Sequence, residues 1–590
     1  MNVEALLLTR GDPSPECCNV AKVLGFFGIA SRILSPDDFL ASLRTRHEDM
    51  PKARLFCSSE ILSRLIATQE ASTDERQLWR KHIHSAFVYR GSDLGLLQKL
   101  ARTLAADEAV LDEIDRYSGD FVVTGGLKEF CGAMAGVRVL ASKKGVPSLV
   151  ALKSGSGKIG SIISTDHGAT FLRSEHEGVA VFLSTSKEIV DLDAEPVGGI
   201  FDVRDCVLSA LPVVLYAKWA FAGTCWSAPE TNACLVIDDP LLKPTYGFVD
   251  FHHLLTLMKR HRFSTNVAFI PWNWRRSRGN AVRLFRENPG EFSLSVHGCD
   301  HTRAEFGSTE RRRLSWKTNQ AVERMARHES KTGIHHDRVM VFPQGVFSNT
   351  AMSVLKRSEF IGAVNNDSIS DDSSPRRIKV SDLWDVAVMG YDNFPIFTRR
   401  YPWEGVENFA FDILLGKPCI ISIHHDYCSD HGERLVTFVN QLNTLNCPMA
   451  WRGLGEVVRR SLRQRDVLPG VTEVEMYGTE AQVENSSDQT RKFLIKRRES
   501  TPSTIREIHA GPRKVNWVAS NEDVHFELEI QPREAVTIRV LFQNPERDEP
   551  WTENASYKIK TGLRRFLSEA RDNYVIKHRL PFLSRFARIN

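Results

Sequence analysis

The chain has 590 residues, 42% of them hydrophobic and 25% charged, and its formal net charge is +4 at pH 7. This length is too great for one hydrophobic core, so we expect about three or four soluble, globular domains. The small net charge excludes a general electrostatic argument for nucleic-acid binding.

Residues 1–139 alternate strand-like and helix-like segments. Short apolar runs such as Val3–Leu8 and Asp120–Thr124 are separated by helical patterns, one of which follows the N-cap signal Ser58-Ser59. This alternation predicts a doubly wound α/β domain of the Rossmann or flavodoxin-like type. Gly125-Gly126 stands in no GxGxxG or P-loop context, so we interpret it as a turn.

Residues 140–230 differ in texture. Ser148–Leu152 and Val179–Leu183 are short β-like runs broken by glycine and serine, which predicts a β-rich connector. The connector ends in a helical pattern over Leu208–Phe221.

Residues 231–465 return to regular βα alternation, which predicts a barrel-like sheet. In such folds the catalytic groups lie just past the C-terminal ends of the strands. Asp238, His297 and His424 each follow a buried, strand-like run. The predicted strands are Cys234–Ile237, Asn266–Ile270, Phe292–Val296, Val339–Phe342, Gly362–Val364 and Pro418–Ile423.

Residues 466–555 show period-two alternation, which predicts a small β-sandwich-like domain. Within it, the polar and basic stretch Asn485–Thr504 is interpreted as a loop.

Residues 556–590 form a basic amphipathic tail. From Tyr557 onward it contains nine Lys or Arg and two acids. The spacing of Leu563, Phe566, Leu567 and Ala570 places these four residues on one face of a helix. Such a helix suits packing against a neighbouring domain or peripheral contact with an anionic membrane surface.

Five side chains carry the chemistry. The adjacent carboxylates Asp238 and Asp239 follow one strand, and His297 and His301 follow another. Two imidazoles and one carboxylate can hold a divalent metal, and a second carboxylate beside them can act as a base. His424 is a candidate acid, since imidazole titrates near neutrality. The set predicts metal-assisted hydrolysis.

The order and spacing of these segments resemble the polysaccharide deacetylase family, the NodB-homology carbohydrate esterases. Val236-Ile-Asp-Asp-Pro240 is similar to its Thr-Phe-Asp-Asp-Gly element, and His297 to His301 is similar to its His-x-x-x-His element. Phe342-Pro-Gln-Gly345 resembles its Arg-Pro-Pro-Tyr-Gly segment, and Ile421-Ser-Ile-His424 resembles its closing Leu-x-Ile-His.

The resemblance covers residues 231–455. It implies an irregular (β/α) barrel and removal of acetyl groups from a carbohydrate, either a polysaccharide or a sugar precursor. Zinc is the default divalent metal for such a ligand set. Carried over by position, the implied roles are general base for Asp238, general acid for His424, metal ligand for Asp239, His297 and His301, and oxyanion contact for Gln344.

Three positions depart from the family pattern. Pro240 replaces a glycine, Gln344 replaces a tyrosine, and no arginine precedes Phe342 where the third motif has one. The missing arginine normally orients the base. The alternative is therefore a catalytically impaired glycan-binding or regulatory protein that retains the barrel; a third reading is a hydrolase of another bond. Candidates for the family's fourth motif are Asp382, Trp384 and Asp385.

The N-terminus and the apolar runs are not typical of targeting segments. The first residues lack the basic region of a signal peptide, and Leu208–Gly223 is too short to cross a bilayer. The 11 cysteines contain no CxxC pair, which is typical of reduced thiols. We therefore expect a cytoplasmic protein, with its basic tail able to contact the inner membrane face. A substrate there would be a lipid-linked or nucleotide-linked sugar or a nascent polysaccharide.

Overall fold

A computed structural model describes residues 3–47, 50–71, 73–105, 108–155, 159–196, 198–543 and 552–576. Within these ranges the chain is a mixed α/β protein with two large sheets, a short hairpin and two smaller sheets. The predicted mixed α/β class is confirmed.

The first large sheet has 11 strands. They are β1 (Ala5–Leu8), β2 (Ser31–Leu34), β3 (Ala53–Ser58), β4 (Ile83–Tyr89), β5 (Ala109–Tyr117), β6 (Asp120–Val123), β7 (Arg138–Leu140), β8 (Val146–Ser154), β9 (Gly160–Thr165), β10 (Gly168–His176) and β11 (Val179–Ser184). The helices of this part are α1 (Pro15–Phe26), α2 (Pro36–Thr45), α3 (Ser59–Ala71), α4 (Thr73–His82), α5 (Leu94–Ala105) and α6 (Lys128–Cys131).

The strand order of this sheet is β2-β1-β3-β4-β11-β10-β9-β6-β7, with β8 joining β10 to β5. Strands β1 to β4 pair in parallel, as doubly wound segments do. The later strands pair antiparallel, apart from the parallel β4–β11 pair. The sheet therefore continues across the predicted boundary at residue 140.

Helix α7 (Val207–Ala220) links this sheet to the third region. Eleven of its 14 residues are buried, because it is apolar on all sides and lies inside the protein. One continuous hydrophobic core includes residues of β1, α7 and the strands that follow. No helix in the described ranges is long and apolar enough to cross a membrane.

The third region contains ten strands and eight helices. The strands are β12 (Thr231–Asp238), β13 (Thr245–Tyr246), β14 (Val249–Asp250), β15 (Thr265–Phe269), β16 (Phe292–His297), β17 (Asp337–Val341), β18 (Gly362–Asn365), β19 (Ile396–Thr398), β20 (Cys419–Ile423) and β21 (Met449–Trp451). The helices are α8 (Phe251–His261), α9 (Gly279–Glu287), α10 (Arg311–Thr332), α11 (Asn349–Arg357), α12 (Val380–Trp384), α13 (Val406–Leu415), α14 (Glu433–Asn443) and α15 (Leu454–Arg460).

The central sheet of this region is parallel and curled. Its order is β19-β18-β17-β16-β15-β12-β20, with β21 also beside β12. The two ends of this order meet at a single bridge between Arg400, just after β19, and Ile421 of β20. All six predicted strands are present; β19 and β21 were not predicted. The C-terminal ends of the parallel strands share one edge, and the candidate residues lie there.

The C-terminal part consists of two sheets around one core. Its strands are β22 (Leu462–Leu468), β23 (Val471–Met476), β24 (Glu480–Glu484), β25 (Arg491–Arg498), β26 (Ile505–Ala510), β27 (Arg513–Lys514), β28 (Val518–Ser520), β29 (Asp523–Ile530) and β30 (Ala535–Phe542). The sheet orders are β22-β23-β25-β29-β28 and β24-β30-β26-β27, and apolar side chains of both sheets form one cluster.

The prediction of a loop over Asn485–Thr504 is wrong. Strand β25 occupies its centre and pairs with β23 and β29. The alternate residues Phe493, Ile495 and Arg497 point inward and are buried. Basic residues on both faces of the strand make its two-residue period hard to see in the sequence. The buried Arg497 is satisfied by Glu499, at 2.8 Å.

The tail begins with helix α16 (Ala555–Ala570), followed by a π-helical turn over Arg571–Ile576. The helix predicted from its amphipathic spacing is confirmed. The rest of the predicted tail, residues 577–590, lies outside the described residues.

Candidate active site

The candidate residues meet in one pocket at the C-terminal edge of the curled sheet. Asp238 is the last residue of β12 and His297 is the last residue of β16. Only β15 separates these two parallel strands, so their ends lie close together. The pocket has a volume of about 530 Å³. It is lined by Asp238, Asp239, His297, His301, Phe342, Gln344, Gly345, Val346, Asn366, Asp367, Ile369, Asp371, Arg399, Tyr401 and His424.

Asp239, His297 and His301 form a group with the composition of a metal site. Asp239 Oδ1 lies 3.3 Å from His297 Nε2 and 3.0 Å from His301 Nε2. The candidate ligand atoms of all three lie within 4.8 Å of one another. Two imidazoles and one carboxylate leave coordination positions for water or substrate, as in catalytic sites.

The hydrogen bonds around this group favour a cation at its centre. His297 Nδ1 lies 2.9 Å from the Val341 carbonyl oxygen, which only a protonated Nδ1 can approach as a donor. In the neutral ring this leaves the Nε2 lone pair facing Asp239 Oδ1, a buried oxygen without a hydrogen-bond partner. Two facing acceptors need a positive charge between them, so the residues fit a divalent metal.

The pKa shifts of these side chains also favour positive charge at the centre of the group. Burial by itself would raise the pKa of Asp239, but the imidazoles of His301 and His297 hold it well below its usual range. Burial would lower the pKa of His297, but contact with Asp239 and the charge of Asp238 raise it. The group stabilises positive charge at the point where the three side chains converge.

Three candidate residues have left-handed backbone conformations. The φ angles are +77° at Asp239, +55° at His301 and +60° at Gln344. Such angles are uncommon outside glycine, and they cluster at functional sites where the surrounding structure holds them. They turn the chain sharply just after β12, β16 and β17.

Glu305 holds the loop that carries His301. Its carboxylate accepts hydrogen bonds from the backbone N–H groups of Cys299, Asp300 and His301, at 2.9–3.1 Å. Gly298 is needed for this approach, because an added Cβ would lie 2.0 Å from Glu305 Oε1. Sequence analysis missed Glu305, since a lone acid in a loop has no distinguishing pattern.

Asp238 has an arginine partner that sequence analysis also missed. Both guanidinium N–H groups of Arg399 donate to the two carboxylate oxygens of Asp238, each at 2.7 Å, and both residues are buried. Burial would raise the pKa of Asp238, but Arg399 and then His297 hold it below its usual value. An arginine is still missing from the third motif, and Arg399, which follows β19, a strand too short to predict, contacts Asp238 instead.

His424 and Gln344 face the pocket from two other strand ends. His424 follows β20, is solvent-exposed and lines the pocket. Gln344 is exposed in the turn after β17, and Asn365 at the end of β18 fixes that turn by donating to the Gly345 carbonyl at 2.8 Å. Both predicted residues therefore share the pocket with Asp238.

The candidates for a fourth motif lie elsewhere. Trp384 is fully buried against Phe26 and Phe201, Asp382 caps the start of α12, and Asp385 contacts Tyr477. These positions serve packing and capping, so none of the three contributes to the pocket.

An aromatic pair lies at the pocket instead. Tyr401 lines it, and the ring of Trp403 stacks on Tyr401 with centroids 4.2 Å apart. Trp403 is 64% exposed, which is unusual for so large an apolar ring. The short segment after β19 thus supplies both Arg399 and this pair.

Comparison with known proteins gives distant matches only. No protein-family model and no curated protein matches this chain. One solved structure that matches is the Xyl-CE4 domain of a multidomain xylanase from the hindgut metagenome of Trinervitermes trinervoides, at 12% identity over 39% of this chain and 89% of that chain, with a TM-score of 0.24.

Two other matches have similar values. A family 4 carbohydrate esterase from Streptomyces lividans, in complex with acetate, is 11% identical over 37% of this chain and 87% of its own, with a TM-score of 0.23. A family 4 acetyl xylan esterase from Clostridium thermocellum, in complex with a cobalt ion, is 11% identical over 38% and 90%, with a TM-score of 0.24. At these identities and TM-scores the similarity is too distant to assign a function.

Removal of one imidazole should weaken metal binding at this site. We expect the purified protein to bind one divalent ion per chain, and His301→Ala to weaken that binding at least about tenfold, since it leaves two ligands. Isothermal titration with Zn²⁺ and elemental analysis would measure it. His335→Ala is the matched control, because His335 is exposed and lies outside the pocket. Equal binding by both variants would refute the site.

The Glu305 carboxylate should affect metal binding without touching the metal. Glu305→Gln places an amide N–H₂ group against backbone N–H groups and loosens the His301 loop, so we expect a 10- to 100-fold loss of metal affinity, roughly the effect of losing an outer-shell partner. Glu310→Gln, an exposed residue at the start of α10, is the control. Unchanged affinity in Glu305→Gln, with an intact fold by circular dichroism, would contradict this role.

Proposed function

We propose that this protein is a metal-dependent deacetylase that removes acetyl groups from a carbohydrate. The observation that carries the proposal is the placement of Asp238. It is a buried carboxylate held in bidentate contact by Arg399, beside a group with metal-ligand composition and in the same pocket as His424. Base, metal group and acid are the parts that hydrolysis of an acetyl group requires.

Asp239, His297 and His301 would hold the metal, and zinc is the default for two imidazoles and a carboxylate, although other first-row metals fit. When bound, a divalent ion supplies Lewis acidity that lowers the pKa of water and polarises a carbonyl oxygen. The left-handed turns at Asp239 and His301 aim their side chains at one point.

Asp238 is the proposed general base. Arg399 occupies one lone pair on each carboxylate oxygen, so each oxygen retains another to accept a proton from water. The bidentate contact fixes the plane of the carboxylate and keeps it ionised. The lowered pKa of Asp238 weakens it as a base, and its fixed orientation offsets part of that loss.

His424 is the proposed general acid, which protonates the leaving amine or hydroxyl. It follows β20, the strand beside β12, and lines the pocket. The turn at Gln344 lines the same pocket, and a backbone N–H group there would stabilise the negative oxygen of the tetrahedral intermediate. Gln344 can serve there in place of tyrosine, because that role belongs to the main chain.

The pocket chemistry favours a sugar as the acetylated substrate. The exposed ring of Trp403 beside Tyr401 offers an apolar platform of the kind that the C–H face of a sugar ring packs against. Asn366, Asp367 and Asp371 line the same pocket and can accept hydrogen bonds from hydroxyl groups. An N-acetyl and an O-acetyl group fit the same machinery.

A catalytically impaired glycan-binding or regulatory protein is the alternative. It rests on the three departures from the family pattern, of which the missing arginine is offset by the contact of Arg399 with Asp238. Turnover separates the two functions, since a binding protein would retain glycan affinity without releasing acetate.

Loss of the proposed base should stop turnover but not metal binding. Acetate release from acetylated chitooligosaccharides and acetylated xylan should fall by about 10²- to 10⁴-fold in Asp238→Asn, the usual range for a general base. Metal content should stay unchanged, because Asp238 is not among the ligands. Asp382→Asn is the control, since Asp382 is outside the pocket and the asparagine side-chain oxygen can still accept from the Lys379 N–H group at the start of α12. No acetate release by metal-loaded wild type would refute the proposal.

Replacement of Arg399 should shift the pH dependence of the reaction. In Arg399→Met the pKa of Asp238 rises toward that of a buried carboxyl, so the acidic limb of the kcat/KM profile should move to higher pH. In Arg399→Lys the cation remains but the bidentate geometry is lost, so kcat should fall with a smaller shift. Metal content and melting temperature provide the controls. An unmoved limb in Arg399→Met would contradict the role of this ion pair.

A further inference from the structure

The C-terminal helix α16 is docked with its polar face inward. Tyr557 donates to Asp300 at 2.9 Å, and Glu553, just before the helix, pairs with the buried Lys317 at 2.7 Å. Thr561 and Arg565, one and two turns further on, are also buried. These contacts attach the first half of the helix to the loop that carries His301.

The second half is attached in the same way. Glu569 pairs with both Lys243 and Arg276. The hydroxyl of Tyr246 donates to Asp572 at 2.8 Å, and the buried Asp572 also lies 3.6 Å from His425, the neighbour of His424. A helix fixed by this many polar contacts has one defined orientation about its axis.

That orientation leaves the apolar face of the helix outward. Ile559, Leu563, Phe566, Leu567 and Tyr574 are each 56–71% exposed. Surface helices of soluble domains normally turn this face to the core. A contiguous apolar stripe on the outward face of a docked helix marks an interaction surface, because exposure of several adjacent apolar side chains to water is unfavourable.

The charges around the stripe indicate what covers it. Lys558 and Lys560, both exposed, lie on either side of Ile559, the first residue of the stripe. From Tyr557 to the end, the chain has nine Lys or Arg and only two acids, so this segment is more positive than the whole protein at +4. The rest of the protein is therefore net acidic.

We propose that the outward face of α16 docks the protein on an anionic lipid surface. Apolar side chains enter the boundary between headgroups and acyl chains, and the flanking lysines meet the lipid phosphates, as in interfacial amphipathic helices. A second copy of the chain would bring the same cationic edges together, which disfavours self-association through this face. The His301 loop contacts α16, and the His424 turn contacts the π-helical turn that follows it. Docking of the helix therefore places both beside the membrane.

Vesicle binding by the full chain tests this surface. We expect flotation with vesicles of phosphatidylcholine and phosphatidylglycerol at 0.1 M salt, little with phosphatidylcholine alone, and weakening as salt rises. Phe566→Ser with Leu567→Ser should reduce binding at least about tenfold, through loss of the buried apolar area. Lys558→Glu with Lys560→Glu should reduce it on anionic vesicles to a similar extent.

The matched control removes equally exposed apolar groups elsewhere. Leu468→Ser with Val518→Ser, at 62% and 66% exposure on the C-terminal sheets, should bind as the wild type does. No binding by wild type, or equal loss in this control, overturns the proposal. The proposal is also overturned if sedimentation velocity shows a dimer that Phe566→Ser with Leu567→Ser dissociates while vesicle binding stays unchanged. Metal content and acetate release without lipid should stay unchanged in these variants, so failure of the deacetylase assignment leaves the vesicle result standing.

Discussion

The bidentate pair between Arg399 and Asp238 is the contact on which the pocket depends, and it exists only because the sheet closes. Along the strand order, β19 is five strands from β12, which in an open sheet is roughly 24 Å at the usual spacing. The bridge between Arg400 and Ile421 joins the two ends, and β20 then brings Arg399 next to β12. Without that curl Asp238 would be a buried carboxylate with no cation, at a cost of several kcal/mol.

Two neighbouring carboxylates acquire different chemistry from this arrangement. Asp238, the last residue of β12, takes the guanidinium, whereas Asp239 turns into a left-handed conformation and faces two imidazoles. Without separate partners, the negative charges of carboxylates on two adjacent residues would repel, which favours protonation of one of them. Separate partners, the guanidinium for Asp238 and the imidazoles for Asp239, favour the ionised form of both, so in the proposed function one would hold a metal while the other accepts a proton.

The strand ends that carry the acids and histidines could be predicted from the sequence, whereas the residues that contact those side chains could not. Apolar strand-like segments, interrupted by serine in β16 and β20, made these strands and β12 visible, and the acids and histidines beyond them followed. Strand β19 has three residues, so neither it nor Arg399 was found. Glu305 acts through backbone N–H groups, which leave no trace in side-chain patterns. Arg399 reaches Asp238 only in the closed fold, whereas the contacts of Glu305 lie within one loop and involve main-chain groups.

The closing segment also ties the pocket to the rest of the chain. Arg399 and Arg400 are successive residues, and as in a strand they point to opposite sides. Arg399 enters the pocket, whereas Arg400 pairs with Asp412 at 2.6 Å and donates to the Phe201 carbonyl at 2.7 Å. Opening the sheet at this bridge would therefore break two buried ion pairs and the link to the connector. The sheet cannot part there to admit substrate at reasonable cost, so access to Asp238 must come from the strand-end edge where His424 and Trp403 are exposed.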